Sequence, residues 1–145
     1  MEKMKYYLDS NIFIYAEISS GAEGKLSKNI LLLMESEKIK CVTSCLTIDE
    51  VVWKIGKETD RKTGIEVGKR MPELPNLEIL PVKTTTIATA LELMEKHKLG
   101  PRDSIHIATM IENGVFSAIS EDSDFDKIRE IKRLSPEKAA KVLKT

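Results

Sequence analysis

Short apolar runs alternate with longer segments of helical periodicity along the whole chain. Strands are predicted at five apolar runs, which are Lys5–Leu8, Lys40–Thr43, Leu77–Val82, Val115–Ser120 and Ile131–Leu134. Between these runs, apolar residues recur at intervals of three and four, which is typical of amphipathic helices. The alternation predicts an α/β fold, specifically a three-layer α/β/α sandwich whose central sheet is largely parallel.

Helical segments are predicted in the intervals between the strands. They begin after Asp9, cover Lys25–Glu37, run from Thr47 to about Arg70 and from Thr84 to about His97, and restart near Arg102 and at Pro136. In the third of them Thr47 precedes Glu50 by three residues, which is the spacing of a capping box. This helix would turn four apolar side chains toward the core, namely Val51, Val52, Trp53 and Ile55.

The composition is that of one globular domain, residues 1–145. Of the 145 residues, 41% are hydrophobic and 32% are charged, and a chain of this length can bury a core without a metal or a crosslink. The longest apolar runs, such as Ile30–Met34, are far shorter than the roughly 20 residues that cross a bilayer. No apolar signal core follows the first residues, so we expect a cytoplasmic protein without membrane contact.

Charge and cysteine content narrow the functional classes further. The 23 Lys and Arg residues balance the 23 Asp and Glu residues, so no overall basic field attracts nucleic acid. Binding of a polyanion would therefore need a local patch or bound cations. Cys41 and Cys45 are expected to be reduced and mostly buried, and two cysteines alone are too few for a zinc site.

Acidic residues stand where predicted strands end or predicted helices begin. Asp9 ends the first strand, Glu50 opens the helix after the second, and Asp103 opens a helix behind a Gly-Pro break. Asp122 ends the fourth strand, and Asp124 lies two residues further on. Because the carboxyl ends of parallel strands meet at one edge of a sheet, these acids are expected to converge there.

Convergence of carboxylates has an energetic consequence. Two carboxylates about 4 Å apart repel each other by roughly 4 kcal/mol at an effective dielectric near 20, so a cluster must take up protons or cations. Oxygen ligands suit hard ions, chiefly Mg²⁺ or Mn²⁺, and such ions polarise phosphoryl oxygens. The pattern therefore indicates phosphodiester hydrolysis. For any one acid alone, an ordinary helix cap worth about 1 kcal/mol is the competing interpretation.

Four motifs resemble those of PIN domains, and in size the chain is most similar to the VapC-like toxin ribonucleases. The motifs are Tyr7–Ile12, Ser44–Val51, Pro101–Ala108 and Ala118–Phe125, in this order. The resemblance spans about residues 4 to 134. It implies the α/β/α sandwich and endonucleolytic cleavage of RNA, with one or two Mg²⁺ or Mn²⁺ ions as cofactor.

The resemblance also assigns roles to individual residues. It implies a catalytic set of Asp9, Glu50, Asp103 and a fourth acid, for which Asp122 aligns best and Asp124 is the close alternative. The implied metal ligands are Asp9, Asp103, Asp122 and Asp124. Ser10, Asn11 and Ser120 match positions that support the carboxylates. Members often form homodimers, and toxin members are blocked by a small antitoxin protein, so both are implied partners besides RNA.

Several further residues have two interpretations. Arg102 is the best candidate for contact with the RNA backbone, against an ordinary surface role. His106 could act as an acid or base, although a packed histidine with a local hydrogen bond is favoured. Tyr15 could stack on a base, although packing suits its place after three apolar residues better, and Trp53 is most simply a core residue.

Three functions compete at this stage. The leading hypothesis is a metal-dependent endoribonuclease of single-stranded or loop RNA. A phosphoryl-transfer enzyme with Asp9 as nucleophile would usually carry a second acid two residues later, where this chain has Asn11. The third is a PIN-like scaffold that binds RNA or protein without cleaving.

Overall fold

The computed structural model describes residues 4–143, so the outer limits of the predicted domain, residues 1 and 145, lie outside the described residues. Five parallel strands form one sheet in the order β3-β2-β1-β4-β5. Their bounds are β1 Lys5–Leu8, β2 Lys40–Ser44, β3 Leu77–Leu80, β4 Ser117–Ile119 and β5 Lys132–Leu134. All five predicted strands are confirmed, and the sheet is parallel throughout.

Helices connect the strands and cover both faces of the sheet. Their bounds are α1 Ser10–Ile18, α2 Ala22–Glu35, α3 Cys45–Glu58, α4 Arg61–Arg70, α5 Thr84–Lys96, α6 Pro101–Glu112 and α7 Pro136–Val142. Short 3₁₀ turns occupy Met71–Glu73 and Ser123–Lys127. No helix within residues 4–143 is both long and apolar enough to cross a membrane.

Two hydrophobic cores lie on opposite faces of the sheet. Successive strand residues point to opposite faces, so Tyr6 packs into one core together with Ile12, whereas Tyr7 packs into the other together with Ile107. The first core gathers side chains of α1, α2, α3, α4 and α7, and the second gathers side chains of α5 and α6. The central strand β1 is thereby buried on both sides, as a parallel sheet requires, and the predicted α/β/α sandwich is confirmed.

The prediction of one helix from Thr47 to Arg70 is wrong in three details. The helix begins earlier, at Cys45, with Ser44 at its N-cap, so the predicted capping box does not form. The Thr47 hydroxyl instead accepts a hydrogen bond from the Thr43 hydroxyl. The segment is also divided into α3 and α4, which approach so closely that a Cβ on Gly64 would lie 2.6 Å from the Val52 carbonyl oxygen.

Trp53 is the third correction, because its side chain is 64% exposed instead of buried. Val51 and Ile55 are four residues apart, share one face of α3 and are fully buried. Trp53 lies two residues from each, which places it on the opposite face of the helix. The prediction for the cysteines needs a smaller correction of the same kind. Both are free thiols, but only Cys41 is buried, whereas Cys45 is exposed.

Candidate active site and metal centre

The carboxyl ends of β1 and β4 lie side by side and bring two site residues into contact. Leu8 pairs with Ile119, so the next residues of the two strands, Asp9 and Ser120, are neighbours at the edge of the sheet. The Ser120 hydroxyl donates a 2.5 Å hydrogen bond to Asp9 Oδ2. The order of the strands reverses between β1 and β4, and this is where open α/β sheets place their ligands.

Asp9 is held rigidly by three donors. Its Oδ1 accepts a 2.8 Å hydrogen bond from the backbone N–H of Ser10, which makes Asp9 the N-cap of α1. Its Oδ2 accepts from Ser120 and, at 3.1 Å, from the side-chain amide of Asn11. Asn11 thus contacts Asp9 through its side chain, whereas Ser10 does so through its backbone N–H. With a side chain only 6% exposed, Asp9 has a single defined position.

Ser120 links Asp9 to the acidic segment after β4. Its Oγ accepts hydrogen bonds from the Asn11 side chain at 3.2 Å and from the backbone N–H of Asp122 at 2.9 Å. The Asp122 carboxylate in turn accepts a 2.9 Å hydrogen bond from the backbone N–H of Asp124. This turn folds the segment back, so the carboxylates of Asp122 and Asp124 both come close to Asp103.

Glu50 is held by a buried chain of hydrogen bonds that sequence reasoning missed. Its Oε1 lies 2.6 Å from His106 Nε2, and His106 Nδ1 lies 2.6 Å from the Tyr7 hydroxyl. That hydroxyl donates to Ser44 Oγ at 2.9 Å. His106 is packed, as predicted, but its partner is Glu50 in another helix and not a local group. A signal was present, because a polar side chain inside an apolar helix segment must find a buried partner.

The charge on His106 follows from these contacts. Both ring nitrogens face oxygen atoms, and an imidazolium can donate at both positions. Burial alone lowers the pKa of His106, but the hydrogen bond to Glu50 and the charges of Glu50, Asp9 and Asp103 outweigh it, so the pKa is raised. The cationic form of His106 therefore pairs with the Glu50 carboxylate.

The predicted acids form two adjacent groups. A carboxylate oxygen of Asp9, a carboxylate oxygen of Glu50 and a ring nitrogen of His106 all lie within 4.8 Å of one another. Carboxylate oxygens of Asp103, Asp122 and Asp124 form a second such group. Ser120 connects the two groups, because it donates to Asp9 and accepts from the backbone N–H of Asp122. The charge of Asp9 also acts on Asp103 and raises its pKa. The structure thus brings every acid of the predicted site to one edge of the sheet.

Crowding of carboxylates changes their acidity. Burial, a hydrogen bond with Asp124 and the charges of Asp122, Asp124 and Asp9 raise the pKa of Asp103 to about 7. Burial also raises the pKa of Asp9. The pKa of Asp124 is lowered instead, by its hydrogen bonds with Lys127 and Asp103. Asp103 is therefore the acid whose negative charge most needs a compensating cation.

The donor set fits a hard divalent ion. All side chains in the group of Asp103, Asp122 and Asp124 offer carboxylate oxygens, which are the ligands that Mg²⁺ and Mn²⁺ prefer. These acids are half-buried, so they remain accessible to an ion and its waters. Asp9 belongs to the other acidic group, and its charge acts on Asp103.

Arg102 lies beside this centre. It is exposed and lines a cavity of about 390 Å³ together with Glu50, Tyr15 and Trp53.

Comparisons with protein families and with solved structures show which proteins this chain is similar to. The family model described as PIN domain matches residues 6–131. Among solved structures, the chain is similar to Mycobacterium tuberculosis VapC20, described as a toxin that cleaves the sarcin-ricin loop. That similarity has a TM-score of 0.71 and 15% sequence identity, and it covers 83% of this chain and 92% of that one.

Two complexes give similar matches. VapBC2 from Rickettsia felis, bound to a DNA fragment from its promoter, has a TM-score of 0.70 and 17% identity, covering 91% of this chain and 98% of that one. A toxin–antitoxin complex from Klebsiella pneumoniae has a TM-score of 0.64 and 19% identity, covering 90% and 97%. At the level of sequence, no curated protein matches the chain. The family match covers most of the residues from β1 to β5, and the chain therefore belongs to the PIN domain family.

Proposed function

We propose that this PIN domain is a metal-dependent endoribonuclease that hydrolyses phosphodiester bonds of single-stranded or loop RNA. The observation that carries the proposal is the meeting of acids from four separate segments, Asp9, Glu50, Asp103 and Asp122, at one edge of the sheet. A cap role explains any one of these acids alone. It does not explain why burial, the hydrogen bond with Asp124 and the charges of Asp122, Asp124 and Asp9 together raise the pKa of Asp103 to about 7.

The positions of the acids indicate two different roles. Asp9, Asp103, Asp122 and Asp124 would hold Mg²⁺ or Mn²⁺. When bound, such an ion polarises a phosphoryl oxygen and helps to activate water. Glu50 lies outside this set, because His106 holds its Oε1. Its second oxygen remains for orienting a water or accepting a proton, which requires a carboxylate in a defined position.

The nucleophilic role for Asp9 is not supported. Both of its carboxylate oxygens accept hydrogen bonds, one from Ser10 and the other from Ser120 and Asn11. Asn11 stands where such an enzyme usually carries its second acid, and it donates to Asp9 instead. Asp9 is better suited to binding a cation with a rigid carboxylate.

The similarity to toxins of toxin–antitoxin complexes extends the proposal to partners. The chain would act as the toxin of such a pair and would be blocked by a small antitoxin protein. A homodimer is the expected assembly of the toxin itself.

The test of this function is metal-dependent cleavage. Purified protein incubated with generic single-stranded RNA should cleave it with Mn²⁺ or Mg²⁺ and should not cleave it with EDTA, because the crowded carboxylates need the ion to bind a phosphate. Gel analysis of end-labelled RNA detects internal cuts. Restoring the ion after chelation should restore cleavage, which controls for damage by EDTA. Absence of cleavage with any divalent ion would contradict the enzyme and leave the non-catalytic scaffold.

A further inference from the structure

Trp53 is an exposed aromatic side chain at the border of the candidate active site. It is the only tryptophan of the chain, it is 64% exposed, and it lies three residues after Glu50 on α3. Tryptophan is highly buried on average, so this degree of exposure calls for an explanation beyond packing.

The indole of Trp53 stands between two cavities. On one side, Lys57 Nζ lies 4.9 Å from the centre of the ring, and Lys57 lines only the cavity on that side. The other cavity, of about 390 Å³, contains Tyr15, Glu50 and Arg102 among its lining residues. Its volume falls within the range of about 300 to 1,000 Å³ of small-molecule sites. Trp53 thus also lines a cavity that reaches Glu50 and that Lys57 does not line.

The chemistry of this second cavity matches a nucleotide. Trp53 and Tyr15 supply aromatic surface, and six of the nine lining residues are polar or charged. Arg102 is exposed, and within residues 4–143 no carboxylate forms an ion pair with it. An unpaired guanidinium is well suited to a phosphate group, which it can bind through two donors. A nucleotide combines a flat apolar base with a charged phosphate, whereas an apolar peptide side chain would leave the polar lining unmatched.

We propose that this cavity binds a nucleotide of single-stranded RNA next to the cleaved phosphate, with its base stacked on Trp53 and its phosphate on Arg102. The inference rests on the proposed function, since it names a subsite for the same substrate. Stacking on an aromatic ring does not depend on the identity of the base. The site would therefore select an unpaired nucleotide and not a particular sequence.

The fluorescence of the single tryptophan tests the proposal directly. Asp103→Asn protein, in which cleavage is expected to be lost, is titrated with a short single-stranded oligoribonucleotide, and Trp53 emission is recorded together with the anisotropy of labelled RNA. We expect saturable quenching that follows binding. An oligonucleotide with the same backbone but without bases should bind without quenching, because only its phosphates can make contact.

Variants measure the contribution of the ring. In the same Asp103→Asn background, Trp53→Ala should weaken RNA binding by on the order of 5- to 150-fold, the loss that corresponds to one stacked base, and Trp53→Phe should restore part of it. Phe116→Ala is the matched control. Phe116 is 46% exposed but precedes β4, at the opposite edge of the sheet, so its loss should leave binding unchanged.

The outcomes separate this subsite from the nuclease itself. Unchanged emission at saturating RNA, or equal affinities of the Trp53→Ala and Phe116→Ala variants, would overturn the subsite even if the wild-type protein cleaves RNA. Quenching by RNA without cleavage by the wild-type protein would defeat the proposed function and support the subsite. Quenching by a synthetic amphipathic peptide but not by RNA would assign the cavity to a protein partner and overturn the proposal.

Discussion

Replacing Asp103 by Asn should lower RNA cleavage more than about 100-fold, because even the residues that support metal ligands change activity by 10- to 100-fold. Asn keeps the size of the side chain and its place in the first turn of α6. It removes the negative charge that interacts unfavourably with Asp122, Asp124 and Asp9. Initial rates of cleavage of a labelled RNA at fixed Mn²⁺ measure the loss.

A stability measurement separates the role of this charge from a structural role. Since the pKa of Asp103 is raised from 3.8 to about 7 in the folded protein, the free energy of unfolding falls as pH rises from about 4 to about 7 and stays at the lower level above that. At pH 8 in EDTA, where Asp103 is mostly ionised, the Asp103→Asn variant should therefore melt at a higher temperature than the wild type. Added Mn²⁺ should raise the melting temperature of the wild type more than that of the variant.

Asp126→Asn is the matched control for Asp103→Asn. Asp126 lies in the same acidic segment as Asp122 and Asp124, but its side chain pairs with Arg133 at 3.1 Å and belongs to neither acidic group. The control should retain the wild-type rate. If Asp103→Asn retained it as well, the cleavage would come from another site or from a contaminating nuclease.

Replacing His106 by Ala should have the second largest effect. The change leaves the Tyr7 hydroxyl and Glu50 Oε1 without their buried partner, and the loss of such a partner costs about 1 to 3 kcal/mol of the free energy of unfolding. It should also lower kcat with little change in KM, because Glu50 loses its fixed position while the proposed RNA contacts at Trp53 and Arg102 remain. Chemical denaturation and steady-state kinetics measure the two effects.

A double-mutant cycle shows whether His106 acts through Glu50. In the Glu50→Gln background, the further change His106→Ala should lower kcat only slightly, since the carboxylate that His106 holds is already gone. Tyr7→Phe keeps the packing of the ring and should have a smaller effect than His106→Ala. Equal losses of kcat in the two backgrounds would mean that His106 does not act through Glu50.

The order of the elements could be read from the sequence because the strands are short runs between helical segments, and the central strands β1 and β2 are buried on both faces. The acids at the ends of these runs could be placed because strand ends align in a parallel sheet. The residue after β1 and the residue after β4 therefore lie next to each other. The pairing of Leu8 with Ile119 is the contact that makes Asp9 and Ser120 neighbours. Local pattern and sheet geometry together were sufficient for this part of the site.

Contacts between distant side chains could not be read in the same way. The bond between His106 and Glu50 joins residues 56 positions apart, and it depends on how α6 and α3 pack at the edge of the sheet. The side of Trp53 was misjudged because three consecutive apolar residues cannot all face the core of one helix. Asp122 and Asp124 remained alternatives in the sequence, and the turn between them brings both to Asp103.

The central claim is that acids far apart in sequence form one centre for a divalent ion. A crystal of the protein grown with Mn²⁺, with an anomalous difference map recorded at the manganese absorption edge, tests it most directly. The account predicts a manganese peak within about 2.0 to 2.4 Å of carboxylate oxygens of Asp103 and of Asp9, Asp122 or Asp124. A manganese ion bound elsewhere on the surface, with these carboxylates free of metal, would contradict it.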